Sequence, residues 1–219
     1  MPNNVETKMW LVPRNGVSLS DKEVESFFSQ FITVNAEPAE CEEPRMFDFG
    51  KLVPQPDNIW HGYIGGRAED NLKTIEEYGG LDAVRQAYKD GKRFPFDKSP
   101  CLTEEQIQQF GLVGWYDWNV KNWETKWGAY ECRFDWSARR GGDGYAQVSF
   151  DTAWSVPEKI LRMVRKIAVE SGYDIECEFG GELDYPGIYS SGQFLYWKGS
   201  WNEETEELER VGDPVDVHC

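Results

Sequence analysis

Histidine is almost missing from this sequence: His61 and His218 are the only two among 219 residues. A Ser–His or His-based metal constellation would need partners that the chain does not visibly supply. Cysteine is sparse as well. Cys41, Cys101, Cys132, Cys177 and Cys219 form no C-x-x-C pair, which removes the usual spacings of structural zinc and of iron–sulfur ligation. No metal or cofactor is therefore expected, and no catalytic residue stands out. No apolar run of about eighteen residues is available to span a bilayer. The opening Met1-Pro2-Asn3-Asn4 lacks the basic-then-apolar form of a secretory signal, so a cytoplasmic setting without membrane contact is expected.

Positive charge is the other shortage. Against 39 Asp and Glu stand 23 Lys and Arg, a net charge of −16. That field repels nucleic-acid phosphate and anionic lipid, so direct nucleic-acid binding is not expected and a protein partner with a basic surface is. Aromatic bulk, by contrast, is plentiful. With 10 Trp, 10 Tyr and 12 Phe the chain has enough apolar surface to bury a core despite its acidity.

Alternation and helical spacing give the fold class. Val5, Thr7, Met9 and Leu11 alternate with Glu6, Lys8 and Trp10, the period of a half-buried strand over 5–12. Ser20 with Glu23 forms a capping box for a helix over 21–31 bearing Val24, Phe27, Phe28 and Phe31. Residues 36–58 hold four prolines, with a short extended piece expected near Phe47–Val53; beyond them, apolar residues recur at three and four, broken at Gly79-Gly80 and Gly91. Strands follow at 129–136 and 145–151, joined through Arg139–Gly144 as a hairpin. Ser155 with Glu158 reads as a second capping box for a helix over 156–171, whose outer face carries Lys159, Arg162, Arg165 and Lys166. Tyr173–Phe179 alternates again, and Gln193–Lys198 offers a further short strand. The order strand, helix, two strands, helix, strand predicts an α+β fold, a ferredoxin-like antiparallel sheet with both helices on one face. One domain is expected over 1–200, with a helical insertion after the first helix at about 36–128 and an acidic C-terminal segment at 201–219. Cys132 and Cys177 fall on alternating strand positions and are expected to be buried thiols, with Cys219 an exposed, incidental one.

Residues 115–127 contain Trp115, Trp118, Trp123 and Trp127. Together with the opening Met1-Pro2-Asn3, the runs Phe47–Pro54 and Phe150–Pro157, and Asn122-Trp123-Glu124-Thr125-Lys126-Trp127, this pattern resembles the YubB-type ferredoxin-like domain family of bacterial plasmids and phages. Glu124 stands where that family usually has Gly, and a positive φ there would strain it. The resemblance implies a mobile-element protein acting in a bacterial host cell and brings no established activity, so no residue role is carried over from it.

Two surfaces are singled out. Trp115, Asn122, Trp123, Lys126, Trp127, Asp151 and Trp154 form a candidate pocket: indoles stack on bases or sugars, and a carboxylate in an aromatic cleft can serve as an acid. The competing reading makes the same tryptophans a structural seal. Gly62–Arg67 lacks the Lys-Ser/Thr of a phosphate loop and reads as an ordinary turn. The second surface is acidic. From Tyr173 to Cys219 there are twelve Asp and Glu against Lys198 and Arg210, and Glu176, Glu178, Glu203, Glu204, Glu206, Glu207 and Glu209 are the candidate contacts. Carboxylates there could replace phosphates in a basic groove. The expected function is a non-enzymatic interaction protein of a phage or plasmid that binds a host nucleic-acid-handling or defence component, a DNA mimic in an anti-defence role. The alternative is a hydrolase or nucleotide-binding enzyme using Asp151 or Asp117 in the Trp-lined cleft.

Overall fold

A computed structural model of the chain describes residues 3–34 apart from 15 and 17, 44–138 apart from 93, 96 and 97, 146–181, 186–202 and 207–215, the side chains of 199–210 excepted. From the start the elements are β1 (Asn4–Pro13), α1 (Asp21–Ser29), β2 (Ile32–Val34), β3 (Arg45–Phe47) and a 3-10 turn (Phe49–Lys51). Next come β4 (Ile59–Trp60), β5 (Tyr63–Ile64), α2 (Ala68–Glu77), α3 (Leu81–Lys89), β6 (Cys101–Leu102), α4 (Glu104–Gln109), β7 (Val113–Gly114) and α5 (Trp115–Asn122). The chain ends with β8 (Tyr130–Phe134), β9 (Val148–Ala153), α6 (Glu158–Glu170), β10 (Tyr173–Gly181), β11 (Gly187–Ser190), β12 (Gln193–Asn202) and β13 (Glu207–Val215). It divides into two units, one of residues 1–54 with 119–219 and one of 55–118.

The first unit is α+β. Its seven-stranded antiparallel sheet has the order β13-β12-β11-β10-β1-β9-β8, so the strands expected at 5–12, 129–136, 145–151 and 173–179 do share one sheet. The sheet is larger than a ferredoxin-like fold has, because β11, β12 and β13 continue it beyond β10. The segment expected as an acidic C-terminal extension thus contributes a strand over 207–215, while Glu203, Glu204 and Glu206 lie outside the described residues.

Strand alternation sorts the two sides of the sheet. In register, Met9 opposes Cys177 and Val148, and Thr7 opposes Phe179 and Phe150. All six are buried, as are Val5, Leu11 and Ile175. Helices α1 and α6 both reach this side: Phe27 meets Tyr173 edge-on at 6.2 Å, while Arg162 lies over Phe194, which stacks on Phe179 at 5.9 Å. Burial of Val24, Phe27 and Phe28 from α1 and of Ile160, Leu161, Val164 and Ala168 from α6 follows from the expected helical spacing. The Ser20–Glu23 capping box forms, and its hydrogen bonds hold the Glu23 carboxyl below the usual carboxylate range. Cys132 and Cys177 are buried, and burial pushes the Cys177 thiol well up.

Three local expectations are corrected. The stretch Phe47–Val53 does not stay extended: β3 stops at Phe47, and Asp48 caps the 3-10 turn by accepting from the Gly50 amide at 2.8 Å. The 36–128 stretch is not wholly helical insertion, since β3, the 3-10 turn and residues 119–128 belong to the first unit and Phe47 stacks on Phe150 at 5.2 Å. The Ser155–Glu158 capping box does not form. Pro157 is the N-cap of α6 and supplies no side-chain bond.

The second unit has its own small core of Trp60, Ile75, Val84, Leu102, Ile107 and Leu112, with Tyr78, Leu81 and Tyr88 packed against it. Two short parallel pairings, β4 with β7 and β5 with β6, tie its helices together. Gly62 is required by close approach, because a Cβ there would sit 2.7 Å from the Pro100 carbonyl oxygen. That packing role accounts for a glycine in the Gly62–Arg67 turn.

Candidate functional site

The turn from Asn119 to Trp127 is built by its own polar groups. The Asn119 carbonyl accepts from the Trp123 and Glu124 amides, its Nδ2 donates to the Lys126 carbonyl at 3.0 Å, and Thr125 Oγ1 donates to the Trp127 carbonyl at 2.7 Å. Trp123 is 8 % exposed, donates Nε1 to the Val53 carbonyl and meets Phe49 edge-on at 5.8 Å. It belongs to the core.

Glu124 takes a φ of 65°, the left-handed conformation that a non-glycine residue adopts at a cost of about 1–2 kcal/mol. Its side chain explains why Glu is tolerated. The carboxylate accepts from the Lys159 amide at 2.9 Å and lies 3.3 Å from Lys159 Nζ, while its carbonyl accepts from Ser155 Oγ. Glu124 therefore supplies, from thirty-odd residues upstream, the side-chain cap that Pro157 cannot give α6. Nothing in the local spacing of 155–158 signals this partner.

Lys126 places Nζ 4.5 Å from the Trp127 ring centre and 4.9 Å from that of Trp154, a cation held over two indoles. Trp154 is 45 % exposed with a φ of 76° and donates its amide to the Asn3 carbonyl. Trp127 is half-buried and meets Tyr130, whose hydroxyl donates to Asn4 Oδ1.

The candidate-pocket residues fall in both units. Trp115 belongs to the second unit, where Nε1 donates to the Gly62 carbonyl, and Asn122 is half-buried at the end of α5. Asp151 opposes Glu6 and Tyr130 in register, so alternation puts it on the side of the sheet away from Phe150 and hence from Trp123. Lys126, Trp127 and Trp154 converge. Among the described residues no group of three His, Cys, Asp or Glu is placed to hold a metal ion.

Four of the acidic candidates, Glu176, Glu178, Glu207 and Glu209, are set on strands. Glu178 opposes Lys8, Glu176 opposes Trp10, and Glu6 opposes Asp151 across β10, β1 and β9, so these four carboxylates share the polar side of the sheet with Lys8. Lys8 Nζ is 3.4 Å from Glu6, with both side chains over a third solvent-accessible. Ser190 Oγ donates to Glu176. Glu207 and Glu209 lie on β13, opposite Asn202 and Ser200, three strands from β10, or roughly 14 Å across the sheet. Glu6 and Asp151 are the acidic neighbours that C-terminal charge counting could not find, since they come from the other end of the chain and from β9.

The basic face expected on α6 is largely neutralised. Arg165 binds Asp174 through two bonds of 2.8 and 2.9 Å, Arg162 pairs with Glu158 at 3.2 Å, and Lys159 pairs with Glu124. The Asp174 carboxylate raises the Arg165 guanidinium still further. Among the described residues no helix is long and apolar enough to cross a membrane. No family model, curated protein or solved structure matches the chain.

Proposed function

We propose that the chain is a binding protein whose acidic sheet engages a protein with a basic surface, in the place a nucleic acid would occupy. The observation that carries this reading is the placing of acidic residues on strands: Glu176 and Glu178 on β10 beside Glu6 and Asp151, and Glu207 and Glu209 on β13, in a chain of net charge −16. Carboxylates held at strand spacing lose little entropy on binding, whereas those of a loose tail must first be ordered. Like charges set directly opposite, as Glu6 and Asp151 are, disfavour the free sheet, and a cationic partner relieves that repulsion. We read the β10-β1-β9-β8 order with α1 and α6 on one side as a ferredoxin-like core enlarged by three strands. The phage or plasmid setting and a nucleic-acid-handling or defence partner come from the motif resemblance. The enzyme alternative is weaker, because Asp151 and Trp123 lie on opposite sides of the sheet.

The test is competition. A basic DNA-binding domain carrying a labelled duplex is titrated with the chain, then with the variant Glu6→Gln, Asp151→Asn, Glu176→Gln, Glu178→Gln. The wild type is expected to release the duplex and the variant to need at least about tenfold more protein, a difference of about 1.4 kcal/mol. Equal displacement by both would remove the polar side of the sheet from the reading.

A further inference from the structure

The second unit carries a cavity of about 210 Å³ lined by Gln55, Pro56, Asp57, Ile59, His61, Arg85 and Lys89. Three nitrogen bases converge there in an acidic chain. Arg85 and Lys89 stand one turn apart on α3 and therefore share a helix face, and His61 follows β4 at the rim, its ring 6.2 Å from Tyr88. The guanidinium is partly fixed: Nη2 donates to the Asp57 carbonyl at 2.7 Å. Its Nη1 is 3.9 Å from Asp82, whose side chain is 98 % exposed, so water screens that pair. Its Nε is buried and has no hydrogen-bond partner among the described residues, a state that costs about 1–3 kcal/mol for an ordinary polar group and more for a charged one. Lys89 forms no ion pair among the described residues, and burial, together with the nearby Lys89 ammonium, holds the His61 imidazole below its usual range.

We propose that this cavity binds a phosphate group, either free phosphate or the terminal group of a small phosphomonoester. The volume suits one small group rather than a drug-sized ligand. A guanidinium whose Nη1 faces only the solvent-screened Asp82 carboxylate, and an ammonium on the same helix face, match an oxyanion with several acceptor oxygens. An anion beside His61 favours the protonated imidazole, which adds a third donor. Asp57 opposes the anion, since its carboxylate is the one acidic side chain in the lining, and it keeps the site weak. The site is built from the second unit alone and does not depend on the reading given for the acidic sheet.

The experiment is an NMR titration of the imidazole signals of the full chain, with His61→Gln assigning the two histidines. Inorganic phosphate, phenyl phosphate and acetate are the separate probes. Saturable shifts at His61 are expected with a dissociation constant on the order of 1 mM for a phosphate probe but not for acetate, together with a rise in the His61 pKa. Tighter binding of phenyl phosphate than of inorganic phosphate would identify the phosphomonoester as the ligand, and the reverse would identify free phosphate. Lys89→Gln, an exposed position that leaves folding intact, is expected to weaken binding at least about fivefold, and Asp57→Asn to tighten it. Arg85→Lys, which keeps the charge and loses the fork, is expected to weaken it too. Non-saturable shifts, or equal binding by wild type and Lys89→Gln, would overturn the proposal.

Discussion

Glu124 shows how a single residue can be strained and useful together. Its left-handed backbone costs about 1–2 kcal/mol, and its carboxylate at the start of α6 returns a similar amount. Glu124→Gly removes both effects and is expected to melt within about 2 °C of wild type. Glu124→Ala keeps the strain and loses the cap, and is expected to cost about 1 kcal/mol, or about 2–4 °C for a chain of this size. Two equal melts would show that the carboxylate contributes nothing. The tryptophans divide in the same way. Trp123, 8 % exposed and bonded to Val53, is expected to cost about 3–5 kcal/mol on replacement by Ala. Half-buried Trp127, which also shelters Lys126, is expected to cost nearer about 1 kcal/mol. Differential calorimetry separates the two, and a Trp127→Ala loss as large as that of Trp123→Ala would contradict the division.

At the scale of elements, legibility followed periodicity. β1, β8, β9 and β10 alternate over five or more residues and α1 and α6 carry regular apolar faces, so all six were readable from spacing alone. β13 was not, because Glu207, Glu209, Gly212, Asp213 and Pro214 give it a loop-like composition. Those residues suit an edge strand, where charge and proline block further pairing. The candidate site was less legible still. Asp151 and Trp154 stand three residues apart in sequence, but strand alternation turns Asp151 to the polar side of the sheet, while Trp154 comes to rest beside Lys126 only through the tertiary path of the turn. In the second unit, α3 brings Tyr88 against Trp60 at 5.8 Å. Burial, with Tyr63, Cys101 and Tyr78 nearby, pushes the Tyr88 hydroxyl from 10.0 up to about 12. The folded chain keeps that proton after the unfolded chain has lost it. The stability tied to Tyr88 is thus complete below pH 10 and falls as the pH rises from 10 toward 12. Urea titrations at pH 9 and 11 are expected to show a smaller loss for Tyr88→Phe than for wild type, and equal losses would place the alkaline sensitivity elsewhere.

For the whole molecule, a net charge of −16 sets both stability and encounter. Self-repulsion destabilises the compact state and steers cationic partners from a distance, and salt screens both within about 8–10 Å at ordinary ionic strength. The melting temperature is accordingly expected to rise between 20 and 200 mM sodium chloride, whereas partner association is expected to slow. The central claim, that strand-fixed carboxylates form the contact surface, is tested most directly by the association rate on an immobilised arginine-rich DNA-binding domain at those two salt concentrations. Wild type is compared with Glu176→Gln, Glu178→Gln, Glu207→Gln, Glu209→Gln. The account expects the variant to associate at least about tenfold more slowly at low salt, to lose much of the salt dependence, and to melt no lower than wild type. An unchanged association rate with an unchanged salt slope would contradict it.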